Sequence, residues 1–273
     1  MSRSNMNLFK IRIDLVEPGQ DILPKIVAGL RKIMITLKDG DILAVTSKII
    51  SISQGRVVRL DTIQPSSSAY TLSEKYNLDP EYVELIIREA DRLYGGTDQA
   101  ICTIKGGVIL ANAGVDRKNI PEGYAVLFPK DPQKSAEDLM RRIYDLTGKH
   151  VGVLIVDSRV TPLRLGTVGV ALGFAGFEPV KNCVGLKDLY GKPLRITRHC
   201  QVDDLACAAH LLMGELDERV AAVLVRGAPI KIFRNLDGHL DNDSVTVPPE
   251  RCLFINALTN NGGSVEVDTS RIL

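Results

Sequence analysis

Apolar and polar positions along the chain fall into two kinds of run. Short stretches rich in Val and Ile at Lys10–Ile13, Asp41–Ser51, Gly107–Ala113, Val151–Val156 and Val220–Val225 predict strands. Helical spacing fills several of the gaps. Asp21–Lys32 is periodic, with Pro24 tolerable in its first turn. Asp79 and Pro80 predict the N-cap and first position of a helix reaching about Tyr94. Ser135–Asp138 resembles a capping box, and Gly148 suits the far end of that helix. Another helix is predicted from about Asp203 to Met213, stopped by Gly214. Strands and helices in mixed order predict an α+β fold. Two stretches read as loop-rich subdomain boundaries: Gln64–Ser68, ahead of a helical segment, and the Gly-rich Arg159–Gly191, which is expected to cover a site. The tail beyond about Pro229 reads as irregular, with a turn at Asn260-Asn261-Gly262-Gly263, and no internal repeat is visible.

Composition narrows the class. With 273 residues, 45% hydrophobic and 25% charged, the chain can bury a sizeable core as one large domain or two modest ones. The net charge of +1, without a basic run or aromatic-interleaved patch, predicts no nucleic-acid partner. No apolar stretch is long enough to cross a bilayer, and the start MSRSNMNLFKIRID lacks the apolar core of a signal peptide, so no membrane association and a cytoplasmic location are expected. Five cysteines without a CxxC pair predict reduced, mostly buried thiols. The histidines His150, His199, His210 and His239 are scattered without an HExxH pattern, so oxygen ligands are expected for any metal.

Familiar nucleotide and nucleophile motifs are absent: there is no GxxxxGK(S/T), no GxGxxG and no GxSxG. Gly166, Gly169, Gly173 and Gly176 have no phosphate-binding spacing and read as sites of close backbone packing. Carboxylates at the ends of apolar strands are more informative. Val151–Val156 runs into Asp157 and Ser158, and Asp116 follows another apolar run within Asn112–Asn119. Two acids at the ends of neighbouring strands would suit a hard cation, although an Asp taken alone is more commonly a helix or turn cap. Glu215 is a third acid, just past a helix C-terminus, where the partial negative charge disfavours a carboxylate unless a cation is bound. The alternative is an exposed acid in a run with Asp217 and Glu218.

The same segments carry a family resemblance. Thr46-Ser47-Lys48-Ile49-Ile50-Ser51 followed by Gly55-Arg56 is similar to S-K-(I/V)-(I/V)-S-K-x-E-G-R, and Asn112–Asn119 to N-A-G-(I/V)-D-x-S-N. Val151–Ser158 resembles V-G-V-I-I-(S/T)-D-(S/T), and Gly166–Gly173 resembles G-x-V-G-x-A-I-G. Lys187–Gly191, Leu211–Glu215 and Leu224–Gly227 match further segments in the same order, over roughly residues 14–227. Together they resemble the coenzyme F420-0:γ-glutamyl ligases. That resemblance implies an α+β fold of two-part mixed sheet and helix architecture, in a single ligase-like domain over residues 1–273 with two intertwined subdomains. It implies GTP-dependent addition of L-glutamate to a deazaflavin coenzyme precursor through an acyl phosphate. It also implies two divalent ions (Mg²⁺ or Mn²⁺), a monovalent cation (K⁺) and a homodimer.

The family's metal ligands fall on Asp116, Asp157, Ser158 and Glu215, and the three acids are the expected catalytic residues. Its GTP contacts fall on Ile13, Asp14, Leu15, Val16, Ser47, Asn119, Leu211, Leu212, Met213, Gly214, Leu216, Asp217 and Glu218. Arg164 is placed to meet an anionic substrate. Three departures from the pattern matter: a GTP-contacting lysine is Ile52, the following Glu is Gln54, and a Gly-Arg pair is Val160-Thr161. Lys48, four residues before Ile52 and on the same side of the predicted strand, is a substitute phosphate contact. The departures leave open a related acid–amine ligase acting on another carboxylate, or a non-catalytic paralogue that binds nucleotide.

Overall fold

A computed structural model describes residues 5–235 and 244–260. His239, and the predicted turn from Asn261 onward, lie outside the described residues. The strands, in chain order, are β1 (Asn7–Arg12), β2 (Ile42–Thr46), β3 (Val57–Arg59), β4 (Arg92–Thr97), β5 (Ala100–Lys105), β6 (Val108–Ala111), β7 (Tyr124–Val126), β8 (Gly152–Val160), β9 (Thr167–Ala175), β10 (Val180–Asn182), β11 (Arg198–Cys200) and β12 (Val220–Arg226). The helices are α1 (Leu23–Lys32), α2 (Ser47–Ser53), α3 (Ser67–Tyr76), α4 (Pro80–Glu89), α5 (Pro132–Thr147), α6 (Gln201–Met213) and α7 (Leu253–Asn260).

The runs without polar interruption become the interior of the molecule. Ile42–Val45, Val153–Val156 and Val220–Val225 are buried on both faces, as strands covered by helices must be. They lie in one five-stranded sheet of order β1-β12-β2-β8-β9. The β2–β8 pair is parallel and the other pairings are antiparallel. Alternate residues feed two cores. Leu43, Val45, Val153 and Ile155 pack with residues of α1 and α5, whereas Ala44, Leu154 and Val156 pack with residues of α6. A third cluster joins α3 and α4 to Ile101, Ala113, Val115 and Ala125 beside the small β4-β5-β6 sheet. The chain is therefore α+β, with several sheets, as its pattern predicts.

Four expectations change. The run Asp41–Ser51 is not one strand: it stops at Thr46, and α2 follows with Ser47, Ile50 and Ser51 buried at helical spacing. An uninterrupted apolar run cannot by itself separate a buried strand from a buried helix turn. Helix α4 ends at Glu89 rather than near Tyr94, because Gly95 and Gly96 enter a hairpin so tight that a Cβ on Gly96 would stand 2.2 Å from the Ala100 carbonyl. Helix α5 starts earlier than the Ser135 box. Asp131 is its N-cap, accepting from the Lys134 N–H at 2.9 Å, and Gly148 closes it at φ 66°. The stretch Arg159–Gly191 is no loop-rich cover, since β9 occupies its middle as a nine-residue strand of the main sheet.

The glycines that disguise β9 are explained by packing. A Cβ on Gly169 would stand 2.3 Å from the Ala206 carbonyl of α6, and one on Gly173 would stand 2.3 Å from the Pro132 carbonyl of α5. Helix backbones rest directly on both faces of the strand, as the spacing reading anticipates. All five cysteines are free but none is buried, contrary to expectation: Cys102 and Cys207 are exposed and the others half-buried. Among the described residues no helix is long and apolar enough to cross a membrane.

Candidate active site

Parallel pairing decides where the chemistry gathers. Thr46 and Val156 are the last parallel partners of β2 and β8; beyond them Ser47 opens α2, while Asp157 continues along β8 against β9. The carboxyl ends of parallel strands are where α/β sheets commonly place ligands. Asp157 receives the Ser158 N–H at 2.7 Å and a hydrogen bond from Ser47. Burial, opposed by these bonds and by Lys48 but reinforced by the nearby Asp116 charge, pushes its pKa up to about 6.

Asp116 arrives on a turn of left-handed backbone. After β6 the backbone passes through Asn112, Ala113 and Gly114 at φ 54°, 53° and 71°. The turn is held by Asn112 Oδ1, which accepts from the Ile101 N–H at 2.8 Å, and by Thr103 Oγ1, which accepts from the Ala113 N–H at 2.9 Å. Asp116 then exchanges backbone bonds of 2.9 and 2.8 Å with Val126, which fixes its direction. Its carboxylate meets Lys48 Nζ at 2.8 Å and the Lys118 N–H at 2.7 Å.

Glu215 is delivered by glycine geometry. Gly214 caps α6 at φ 76° and ψ −177°, a conformation nearly confined to glycine. The chain doubles back, and Glu215 meets Thr167 Oγ1 at 2.5 Å, His210 Nε2 at 3.0 Å and Lys118 Nζ at 3.0 Å. Burial raises the pKa of this carboxyl, but the Thr167, Lys118 and His210 contacts outweigh that and bring it down to about 2. Glu215 is thus an ionised acid held in place, not part of a solvated run.

The remaining expected residues fall into three groups. Asn119 Nδ2 donates to the Leu216 carbonyl at 2.6 Å and Arg12 Nε to the Glu218 carbonyl at 3.1 Å, so the segments carrying Ile13–Val16, Asn119 and Gly214–Glu218 meet beside the cluster. Leu15, Leu211 and Leu216 expose their side chains, and Asp14 reaches only Lys32, at 3.4 Å. Asp217 lies within the same loop. Met213 is buried and Leu212 packs against the α6 core, leaving backbone as the part these two can offer a ligand. Ser158 follows Asp157 on a regular strand, so its hydroxyl leaves the opposite face and only its N–H meets the carboxylate. Lys48 lies on a helix rather than a strand. It stays on the Ile52 side by helical i, i+4 spacing, and its ammonium is taken up by Asp116 and by the Lys118 carbonyl at 2.9 Å. Arg164 is exposed at the β8–β9 tip. Lys118, Thr167 and His210 were not singled out from the sequence. Only His210, five residues before Glu215 across a helix end, carries a local signal.

The family described as F420-0:gamma-glutamyl ligase matches residues 10–227. The chain belongs to that family. The ligase-family match spans β1 to the end of β12 and takes in the whole cluster around Asp116, Asp157 and Glu215. Among relatives, the coenzyme F420:L-glutamate ligase of Methanopyrus kandleri is 40% identical over 240 residues, covering 88% of this chain and 93% of that protein. Its counterpart in Methanothermobacter thermautotrophicus is 38% identical over 235 residues, covering 86% and 90%. That of Archaeoglobus fulgidus is 38% identical over 215 residues, covering 79% and 84%.

The donor set suits the divalent ions the family resemblance implies. Asp116, Asp157 and Glu215 offer hard oxygen donors, and among the described residues no ion pair offsets the burial of Asp157, which feels Lys48 only at a distance. The acids are not closed on a single point, however. Among the described residues no three His, Cys, Asp or Glu side chains form a ready metal cage, and Lys48 and Lys118 pair with two of the three acids.

Proposed function

We propose that this chain is a coenzyme F420:L-glutamate ligase that uses GTP to form an amide between a carboxylate of the deazaflavin coenzyme F420-0 and the amine of L-glutamate. The observation that carries the reading is coincidence: the matched region contains Asp157, where the parallel β2–β8 pairing ends, together with Asp116 and Glu215, which Lys48 and Lys118 tie to its surroundings.

A free carboxylate is a poor acyl donor, so it must first be converted to an acyl phosphate by GTP. Divalent ions, Mg²⁺ or Mn²⁺, would be held by Asp116, Asp157 and Glu215 and would neutralise charge on the phosphate oxygens. The protein's own part is positioning. Ser47 and the Ser158 N–H orient Asp157, Thr167 and His210 orient Glu215, and Asn119 ties the 214–218 loop to the Asp116 turn. We assign the exposed residues Leu15, Leu211 and Leu216 to the surface along which the nucleotide runs. The glutamate amine then attacks the acyl phosphate and expels phosphate. Water must be kept out during this step, or the intermediate hydrolyses. We assign a monovalent cation, K⁺, to the same reaction and a homodimer as the working form. The dimer reading is supported by Leu163, Leu165, Leu189 and Tyr190, each more than four-fifths exposed.

Mass spectrometry of F420-0 incubated with the protein, GTP, Mn²⁺ and L-glutamate tests the activity. A product heavier by one glutamyl residue, formed only with GTP, is expected. Unchanged F420-0 under conditions where an authentic family enzyme converts it would refute the assignment.

A further inference from the structure

Two lysines enter the acid cluster without a part in the phosphoryl and glutamyl transfer. Lys48 Nζ stands 2.8 Å from Asp116 Oδ2 and donates to the Lys118 carbonyl at 2.9 Å. Lys118 Nζ donates to Glu215 Oε2 at 3.0 Å, while its backbone N–H donates to Asp116 Oδ1 at 2.7 Å. Residue 118 therefore touches the cluster from both sides, and its charge also acts on Asp157. A reason in stability alone is weak, because the Lys118 side chain is 63% exposed and an ion pair that open adds little.

Charge counting gives a better reason. Three carboxylates (Asp116, Asp157, Glu215) against two ammonium groups (Lys48, Lys118) leave one net negative charge. One divalent ion would turn that into one net positive charge. Two would leave three positive charges crowded together until phosphates arrive. An ammonium on Glu215 also competes for the carboxylate lone pairs that a metal would need. Asp157 is the one acid of the three without an ion pair among the described residues, and it remains open for a first ion.

We propose that Lys118 is a resident cation of the site, standing at Glu215 in place of a second divalent ion, so that the nucleotide-free chain takes one divalent ion. This rests on the acid cluster being the divalent-ion site proposed above.

The test is stoichiometry, read by Mn²⁺ titration with electron paramagnetic resonance of the free ion, on nucleotide-free parent, Lys118→Met, Lys118→Gln and Lys118→Arg. The parent and Lys118→Arg should saturate at one ion per chain. The neutral variants should saturate at two, or bind a second ion at least tenfold more tightly than the parent does. A thermal melt of each variant verifies its fold, and either neutral variant suffices if the other is damaged. Two equal sites in the parent, or one weakly extended site in folded neutral variants as in the parent, would overturn the role of Lys118 while leaving the metal site intact. No Mn²⁺ bound by any form would overturn both.

Discussion

Asp157 concentrates the logic of the site at the scale of one residue. A carboxyl buried beside another acid and lacking an ion pair is raised from 3.8 to about 6. Its ionisation therefore costs the metal-free fold stability. The folded state holds the proton more tightly than the unfolded state, so the penalty is absent below pH 3.8, grows as pH rises and is complete above pH 6. Asp157→Asn removes that penalty. In chelator-treated protein the variant should match the parent near pH 4 and exceed it above pH 6 by up to ~3 kcal/mol. Glutamyl transfer should nonetheless be lost at ordinary metal concentrations. Denaturant titrations at the two pH values read the first effect, and equal stability at both would contradict it. Gly214 is the complementary case. Its φ of 76° and ψ of −177° are nearly confined to glycine, and a Cβ there would also displace the Glu218 carboxyl, which lies 2.1 Å away. Gly214→Ala should cost ~1–3 kcal/mol in backbone strain. It should also reduce turnover more than it weakens the fold, by moving Glu215 off Thr167. Stability and turnover measured on one preparation would show whether the two separate. The three acids were legible in the sequence through their motifs. Lys118 and Thr167 were not, because what makes them relevant is a meeting of β9, α6 and the Asp116 turn that no local spacing encodes; His210 has only its five-residue spacing from Glu215.

At the scale of elements, helix α2 shows where pattern reading stops. Ser47–Ser51 reads as the continuation of a buried strand, yet the structure places it in a helix, Ser47–Ser53, whose N-terminal end adjoins Asp157. Strand β9 shows the opposite limit: its glycines weaken the strand signal because they exist for contact with α5 and α6 backbones, a tertiary demand. The long apolar runs of β2, β8 and β12 were readable since burial on both faces needs no partner-specific information. Reassigning α2 changes the expectation for Ile52. It sits in the last turn of α2, half-buried and outside the packed cores. A lysine there should therefore be tolerated. Ile52→Lys should tighten GTP binding by roughly tenfold or more, the worth of one charge-assisted phosphate contact. Calorimetric titration with a parallel melt decides. Unchanged affinity with a lowered melting temperature would show that this turn does not face the phosphates.

The whole molecule presents apolar side chains that no described part of the chain covers. Leu163 and Leu165 project fully from the β8–β9 tip, and Leu189, Tyr190 and Ile196 are nearly as open on the 183–197 excursion. The tip leads into Thr167, which holds Glu215, so a partner seated there would steady the acid cluster. Sedimentation of the parent should give a dimer, and Leu163→Glu with Leu165→Glu should shift it toward monomer and lower turnover. A parent that sediments as a monomer at assay concentration would contradict the dimer reading.

In the proposed reaction GTP activates the coenzyme's carboxylate as an acyl phosphate before glutamate attacks. F420-0 carrying ¹⁸O in that carboxylate reads out this step. Incubated with the protein, GTP, Mn²⁺ and L-glutamate, the labelled substrate should yield the glutamyl product together with phosphate that carries one ¹⁸O atom per amide bond formed. Glutamyl product accompanied by unlabelled phosphate, or no GTP-dependent product at all, would contradict the account.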